Sequence, residues 1–237
     1  MEDKEFSFFW GRVRFKQPKE HRLSIVELLF LANIKGVKRK SKVVDLGAGF
    51  GTLSILTAIK YGCNVWAVEK DKRMLELLRY NVSVNQVKDK VHLVEGDVHF
   101  IKDIMPKEFF DVALINPPFY PKTYKYINNR FHFEKDTELK DFLKAVAYLL
   151  KDGGALNLLY TTFRLVDTIL CLRDINIMPT NLRIFYPKLE KYGKFFRLYG
   201  IKNGRGYMTI EKPLIINENT GEYTEEVKYI LNNFFVI

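Results

Sequence analysis

Between Lys42 and Tyr160 the apolar positions fall into short β-branched runs separated by longer stretches with an apolar residue every three or four positions. The short runs read as strands buried on both faces and the long stretches as amphipathic helices, which together predict successive βα units of a parallel sheet. Strands are expected at Lys42 to Leu46, Asn64 to Glu69, Val91 to Glu95, Asp111 to Asn116 and Ala155 to Thr161. Helices are expected at Thr52 to Tyr61, Asp71 to Gln86 and Asp136 to Lys151, with Gly62 and Gly153-Gly154 stopping two of them.

Upstream, Ser24-Ile25-Val26-Glu27 has the spacing of a capping box, so a helix should start at Ile25 and run to about Ile34. Downstream of Pro179, strand-like runs at Leu182 to Tyr186, Phe195 to Ile201 and Tyr207 to Ile210 are broken by Pro, Gly and Asn, which predicts antiparallel pairing. Thr224 should cap a last helix, with Glu225 and Glu226 at its positive end.

Composition narrows the class. Apolar residues make up 47% and charged residues 28% of the 237 positions, the texture of a globular protein with one sizeable core. No apolar run approaches the ~20 residues needed to cross a bilayer and the start lacks a signal-peptide layout, so a cytoplasmic protein is expected. The two cysteines, Cys63 and Cys171, have no ligand spacing, and no metal site is expected. The net charge of +10 favours a polyanionic partner. Positive charge concentrates in two segments: Met1 to Lys42 holds eleven Lys or Arg against five acids, and Lys188 to Lys212 holds seven against two.

The strand Val43-Val44-Asp45-Leu46 runs into Gly47-Ala48-Gly49-Phe50-Gly51 and then a helix, a junction that brings backbone amides to a nucleotide-like ligand. A dinucleotide fingerprint needs two residues between its second and third glycine, whereas Phe50 stands alone between Gly49 and Gly51. Asp45, two residues before Gly47, would repel a pyrophosphate but suits the ammonium of S-adenosylmethionine. Glu69 at the end of the second strand is placed for the ribose hydroxyls, and Asp97 after the third for the adenine amino group. The expected cofactor-binding residues are Asp45, Gly47, Ala48, Gly49, Gly51, Glu69, Lys70, Asp97, Val98 and Asn116.

The fourth strand enters Asn116-Pro117-Pro118-Phe119. An amine on an aromatic ring or carbonyl is a poor nucleophile because its lone pair is delocalised. The Asn116 side-chain oxygen and the Pro117 carbonyl can accept its two hydrogens and turn the lone pair towards a methyl group. Paired prolines stiffen the loop, and Phe119 offers a stacking face for a planar substrate. Asn116, Pro117, Pro118 and Phe119 are therefore the expected catalytic set. No histidine of His21, His92, His99 and His132 pairs with a nucleophile motif.

The glycine loop and the Asn-Pro-Pro-Phe tetrad resemble those of amino-group methyltransferases acting on adenine N6, guanine N2 or glutamine amides. Gln17-Pro18-Lys19-Glu20-His21-Arg22-Leu23-Ser24-Ile25 resembles the N-terminal motif of bacterial tRNA(Val) adenine-N6 methyltransferases. Further matches are Arg130-Phe131-His132-Phe133-Glu134, Lys151-Asp152-Gly153-Gly154, Lys212-Pro213-Leu214-Ile215-Ile216 and Gly221-Glu222-Tyr223-Thr224-Glu225-Glu226-Val227. The family usually carries an acid after the Ser-Ile pair, where this chain has Val26 and then Glu27, and its tetrad commonly ends in Tyr.

The resemblance implies methyl transfer from S-adenosylmethionine to N6 of a tRNA adenine beside the anticodon; no obligate protein partner is inferred. Guanine N2 in rRNA, a protein glutamine amide and an inactive RNA-binding module are the alternatives. Phe119, Tyr120, Lys122, Arg130 and Arg205 are the expected substrate-binding residues, and the two basic segments should hold RNA phosphates around a flipped-out base. The expected fold is α/β: a Rossmann-like class I methyltransferase with a mostly parallel seven-stranded sheet, helices on both faces and an antiparallel C-terminal hairpin. A single domain over 1–237 is expected, with an N-terminal extension and capping helix over 1–41 and the core with RNA-facing insertions over 42–237.

Overall fold

The computed structural model describes residues 3–19, 21–121, 133–134 and 137–236, with the backbone alone at 120, 121, 133 and 134. The chain opens with a hairpin of β1 (Lys4–Phe8) and β2 (Val13–Gln17), paired antiparallel. Its turn places Phe9 and Trp10 in the left-handed region, φ 51° and 54°, where Gly or Asn is usual. Two aromatic residues there conceal the turn, and sequence pattern did not reveal the hairpin. Helix α1 (Ile25–Ala32) follows, and both halves of its capping box form: Ser24 Oγ accepts from Glu27 N–H at 3.2 Å and Glu27 Oε2 from Ser24 N–H at 2.9 Å.

The βα units come next: β3 (Lys42–Leu46), α2 (Thr52–Tyr61), β4 (Asn64–Glu69), α3 (Lys72–Val84), β5 (Val91–Glu95), the single turn α4 (Ile101–Ile104) and β6 (Phe110–Ile115). Beyond the two-residue strands β7 (Tyr120–Pro121) and β8 (Phe133–Glu134) lie α5 (Leu139–Leu149), β9 (Leu150–Thr161), α6 (Leu165–Asp174), β10 (Ile177–Tyr186) and β11 (Phe195–Lys202). The short β12 (Thr209–Ile210) and β13 (Leu214–Ile215) precede α7 (Glu225–Asn232), which Thr224 caps through Val227 N–H. Helix α6 was not foreseen. Arg164 makes no side-chain cap, and exposed Val166 and Leu170 blur the helix's apolar face.

The main sheet has the order β12-β10-β11-β9-β6-β3-β4-β5, with β13 also on the edge of β10. Strands β5, β4, β3, β6 and β9 run parallel, and β11 lies antiparallel between β9 and β10. This is the expected Rossmann-like sheet with its C-terminal hairpin, widened by two short strands. Two expectations need correcting: α5 ends at Leu149, so Gly153-Gly154 lie within β9 instead of stopping the helix, and the Tyr207 to Ile210 run pairs parallel to β10, at Asn181 with Thr209. The chain leaves β11 beside the start of β10 and returns along β10's other edge, so it runs the same way.

Alternation along β3 divides the interior. Val43 belongs to a core with Leu53, Ile55, Leu78, Phe15 and Phe30 on the face covered by α1, α2 and α3. Val44 and Leu46 join Ala113, Ile115, Phe142, Val146 and Leu158 on the α5 face. No helix among the described residues is long and apolar enough to cross a membrane.

Candidate active site

The carboxyl ends of β3, β4, β5 and β6 converge on a cavity of about 440 Å³. At the end of β3 the chain turns through Gly47 and Ala48, whose N–H groups both donate to the Val68 carbonyl, at 2.9 and 3.0 Å. The turn is thereby fastened to β4. Gly49 N–H donates to Glu69 Oε2 at 2.8 Å, and Lys70 and Asp71 N–H donate to Glu69 Oε1 at 2.9 and 2.8 Å. Three of a carboxylate's roughly four lone-pair sites are thus filled by backbone, which fixes the side chain and leaves Oε2 capacity for a ligand hydroxyl.

Gly51, at φ +99°, caps α2, and a Cβ there would stand 2.3 Å from Leu78 Cδ1. Its need for glycine comes from this packing, and it does not line the cavity. Asp45 also stands behind the wall. Strand alternation sends it to the α2 face, where Ser54 Oγ donates to Oδ2 at 2.5 Å while Oδ1 is buried with no partner among the described residues. Burial pushes its pKa up to about 7; the Ser54 hydrogen bond opposes this and the charges of Glu69 and Glu27 reinforce it.

Asp97 N-caps a short 3-10 turn over Val98–Phe100 and accepts from His99 N–H at 3.0 Å and from Lys70 Nζ at 3.2 Å. Burial raises its pKa, but the bonds from His99 and Lys70 outweigh that and hold it below the ordinary value. Lys70 reaches Thr137 Oγ1 as well, at 2.8 Å.

On the other side, Asn116 sits one residue past β6. Its Nδ2 donates to Glu27 Oε1 at 3.4 Å, and its Oδ1 is buried without a hydrogen-bond partner among the described residues. Pro117, Pro118 and Phe119 continue the wall. Tyr160, fully buried in β9, donates its hydroxyl to the Pro118 carbonyl at 3.3 Å. The Phe119 ring lies 6.1 Å from that of Tyr160 and 5.2 Å from that of Phe195, both tilted.

Of the residues expected from sequence, Gly47, Ala48, Gly49, Glu69, Lys70, Asp97, Val98, Asn116, Pro117, Pro118 and Phe119 line one cavity, while Asp45 and Gly51 do not. Tyr120 follows on the backbone of β7. Lys122 and Arg130 lie outside the described residues. Arg205 is not brought to the site. It is exposed on the loop after β11, and Ile201 pairs with Ala155, the partner of Val112 near the start of β6. That is the opposite end of the strands from Asn116.

Among the lining residues that the sequence reading missed are the polar His21, Glu27 and Thr52. The capping spacing marks Glu27 as a helix cap, but its contact with Asn116, 89 positions away, has no local signal. Burial raises the Glu27 pKa, against hydrogen bonds from Ser24 and Asn116. Thr52 opens α2, and its Oγ1 is buried with no partner among the described residues.

These features fit a cationic methyl donor. Glu27, Asp45 and Glu69 are three buried carboxyls around one turn, each raised in pKa first by burial. Buried negative charge is costly unless a countercharge arrives, which a ligand bearing ammonium and sulfonium supplies and a pyrophosphate does not. The Thr52 hydroxyl, without a partner among the described residues and at the positive start of α2, suits the carboxylate of the same ligand.

Comparison with known proteins agrees. The chain is 23% identical over 198 residues to a Shewanella sp. (strain MR-7) tRNA1(Val) (adenine(37)-N6)-methyltransferase, covering 82% of this chain and 84% of the relative. It is 33% identical over 91 residues to a Caenorhabditis elegans rRNA N(6)-adenosine-methyltransferase, covering 38% and 42%. It is 31% identical over 142 residues to a putative protein N5-glutamine methyltransferase of Methanocaldococcus jannaschii, covering 57% and 68%. Among solved structures, a predicted O-methyltransferase from Agrobacterium tumefaciens superimposes with a TM-score of 0.71 at 21% identity, covering 87% of this chain and 95% of that one. M. jannaschii TYW2 in complex with AdoMet gives 0.58 at 19% identity, covering 85% and 86%. Both show the class I methyltransferase fold. The family model described as the methyltransferase small domain matches residues 21–174, from His21 through the glycine turn, Glu69, Asp97 and the Asn116 loop to the end of α6, so the chain belongs to that family and S-adenosylmethionine is its cofactor.

Proposed function

We propose that this protein methylates N6 of an adenine in tRNA, beside the anticodon. The observation that carries the reading is the Asn116 amide in the cavity wall, held by Glu27 through its nitrogen and keeping a buried oxygen with no hydrogen-bond partner among the described residues. An unsatisfied buried acceptor costs about 1–3 kcal/mol, a cost that disappears when an amine hydrogen meets it. S-adenosylmethionine supplies an electrophilic methyl group at that place.

The chain's own groups do the rest. Asn116 Oδ1 and the Pro117 carbonyl accept the two hydrogens of a flat amine and expose its lone pair. In its ionised form Glu27 keeps the amide from turning over, because a carboxylate accepts and cannot donate. Tyr160 restrains the loop at Pro118, and Phe119 presents its ring to a planar base. In the other half, Gly47, Ala48 and Gly49 shape the turn, Glu69 takes a ribose hydroxyl, Asp97 and Val98 border the adenine, and Thr52 meets the carboxylate. Asp45 serves through charge from behind the wall.

Adenine in tRNA is favoured over other flat amines by the relative aligned along 82% of the chain and by the net charge of +10. The glutamine-amide reading draws on the M. jannaschii relative, and its acceptor geometry is the same. The deciding experiment incubates the purified protein with S-adenosylmethionine and tRNA lacking the modification, then digests the RNA to nucleosides for mass spectrometry. N6-methyladenosine in tRNA is expected. Methylguanosine in the digest, or tRNA that stays unmodified, overturns the assignment.

A further inference from the structure

The basic Lys188 to Lys212 segment does not act as one surface. Phe195 pairs with Thr161 at the carboxyl end of β9, so the turn joining β10 to β11, residues 187–194, stands on the same rim as Asn116. The residues after Lys202 stand at the far end. The turn is firmly placed: Thr162 Oγ1 donates to the Gly193 carbonyl at 2.6 Å, Thr162 N–H to the Lys194 carbonyl at 3.2 Å, and Lys194 N–H to the Phe185 carbonyl at 2.9 Å. It carries Lys188, Lys191 and Lys194 against one acid, Glu190, whose carboxylate accepts from Asn219 Nδ2 at 3.2 Å. Between the lysines, Tyr192 is 96% exposed, and Phe195, the next residue after Lys194, touches the Phe119 ring.

We propose that this turn is the arm that grips the RNA, with Lys191 and Lys194 on phosphates and Tyr192 stacked on a base flanking the target. The inference rests on the RNA reading of the active site and gives it a docking surface. Cations spaced around an aromatic ring with no fold contact on most of its surface match single-stranded RNA, whose backbone is anionic and whose bases all have a stacking face. An acidic peptide would use the lysines but leave the ring idle.

The test measures binding of an end-labelled tRNA transcript by the whole protein over a range of salt, with methyl transfer followed in parallel. Tyr192→Ala and the double variant Lys191→Ala/Lys194→Ala alter exposed side chains only. Each should weaken RNA binding roughly tenfold. The double variant should also flatten the log affinity against log salt slope by about 2, while cofactor affinity stays unchanged. Arg205→Ala, at the far end, should bind RNA as the parent does. Unaltered RNA affinity and salt slope in both turn variants, or a loss in Arg205→Ala as large as theirs, overturns the arm. A parent protein that binds an acidic polypeptide and no RNA overturns it too. A parent that binds RNA through the turn but leaves adenine unmethylated sinks the proposed activity and leaves the arm standing.

Discussion

Glu69 and Asn116 stand on the same rim, yet the protein equips them in opposite ways. Glu69 accepts three backbone N–H groups from residues close in the chain or in the adjoining turn. Asn116 is held by a side chain from helix α1, and its oxygen has no hydrogen-bond partner among the described residues. The half proposed to hold the cofactor is built from backbone and glycine geometry. The substrate half, from β6 across β9 to β11, is built from side chains brought together by the sheet: Glu27, Asn116, Phe119, Tyr160 and Phe195. A half made of backbone resists change through its fold, whereas a half made of side chains is sensitive to single atoms. Substitutions should separate the two.

The largest effect belongs to the substrate half. Asn116→Ala should lower methyl transfer by roughly 10²–10³ while cofactor affinity stays nearly intact. Single-turnover transfer and calorimetric titration check both, and unchanged turnover rejects the role given to this amide. The cofactor half should answer through stability. Gly51→Ala forces a Cβ to within 2.3 Å of Leu78 Cδ1 at a left-handed φ, and about 2–3 kcal/mol of destabilisation is expected in urea unfolding. A variant as stable as the parent would show that the helix α3 side of the turn yields easily.

Asp45→Asn probes charge behind the turn. Because burial lifts the folded pKa to about 7 from an ordinary carboxylate value, the folded protein binds the extra proton across that window. The Asp45 contribution is therefore most favourable in acid and is lost as pH rises towards 7. The Tm of Asp45→Asn, compared with the parent, should gain between about pH 4 and about pH 7; a difference that stays flat would place the titration elsewhere. The smallest effect is expected from Tyr160→Phe, which removes one hydrogen bond to Pro118 of about 0.5–1.5 kcal/mol. A drop of a few fold in turnover with little change in cofactor affinity would mark Tyr160 as a positioning residue. A drop in stability alone would make it a core residue only.

The same contrast explains what could be read in advance. Strands β3, β4 and β5, helix α2 and the α1 capping box match their sequence-based ranges, because apolar period and cap chemistry act within a few residues. The glycine turn, Glu69, Asp97 and Asn116 were legible for a related reason: each closes a strand of one parallel sheet, and the carboxyl ends of such strands share a rim. The β1–β2 hairpin was hidden because its turn uses Phe9 and Trp10 where Gly or Asn would announce it. Helix α6 was hidden by its missing cap.

Sequence alone determined the parallel sheet, the ligand-bearing rim and the residue types placed there, since periodicity and turn chemistry are local and one side chain out of phase would break a buried strand. Tertiary structure decided the partnerships. It turned Asp45 to the α2 face, joined Glu27 to Asn116 across 89 positions, and sent Arg205 to one end of the sheet while bringing Lys191 and Tyr192 to the other. Neither a contact between distant residues nor the end of a sheet at which a loop emerges is encoded in local spacing. Both follow from strand order and direction, which are settled only when the whole core closes.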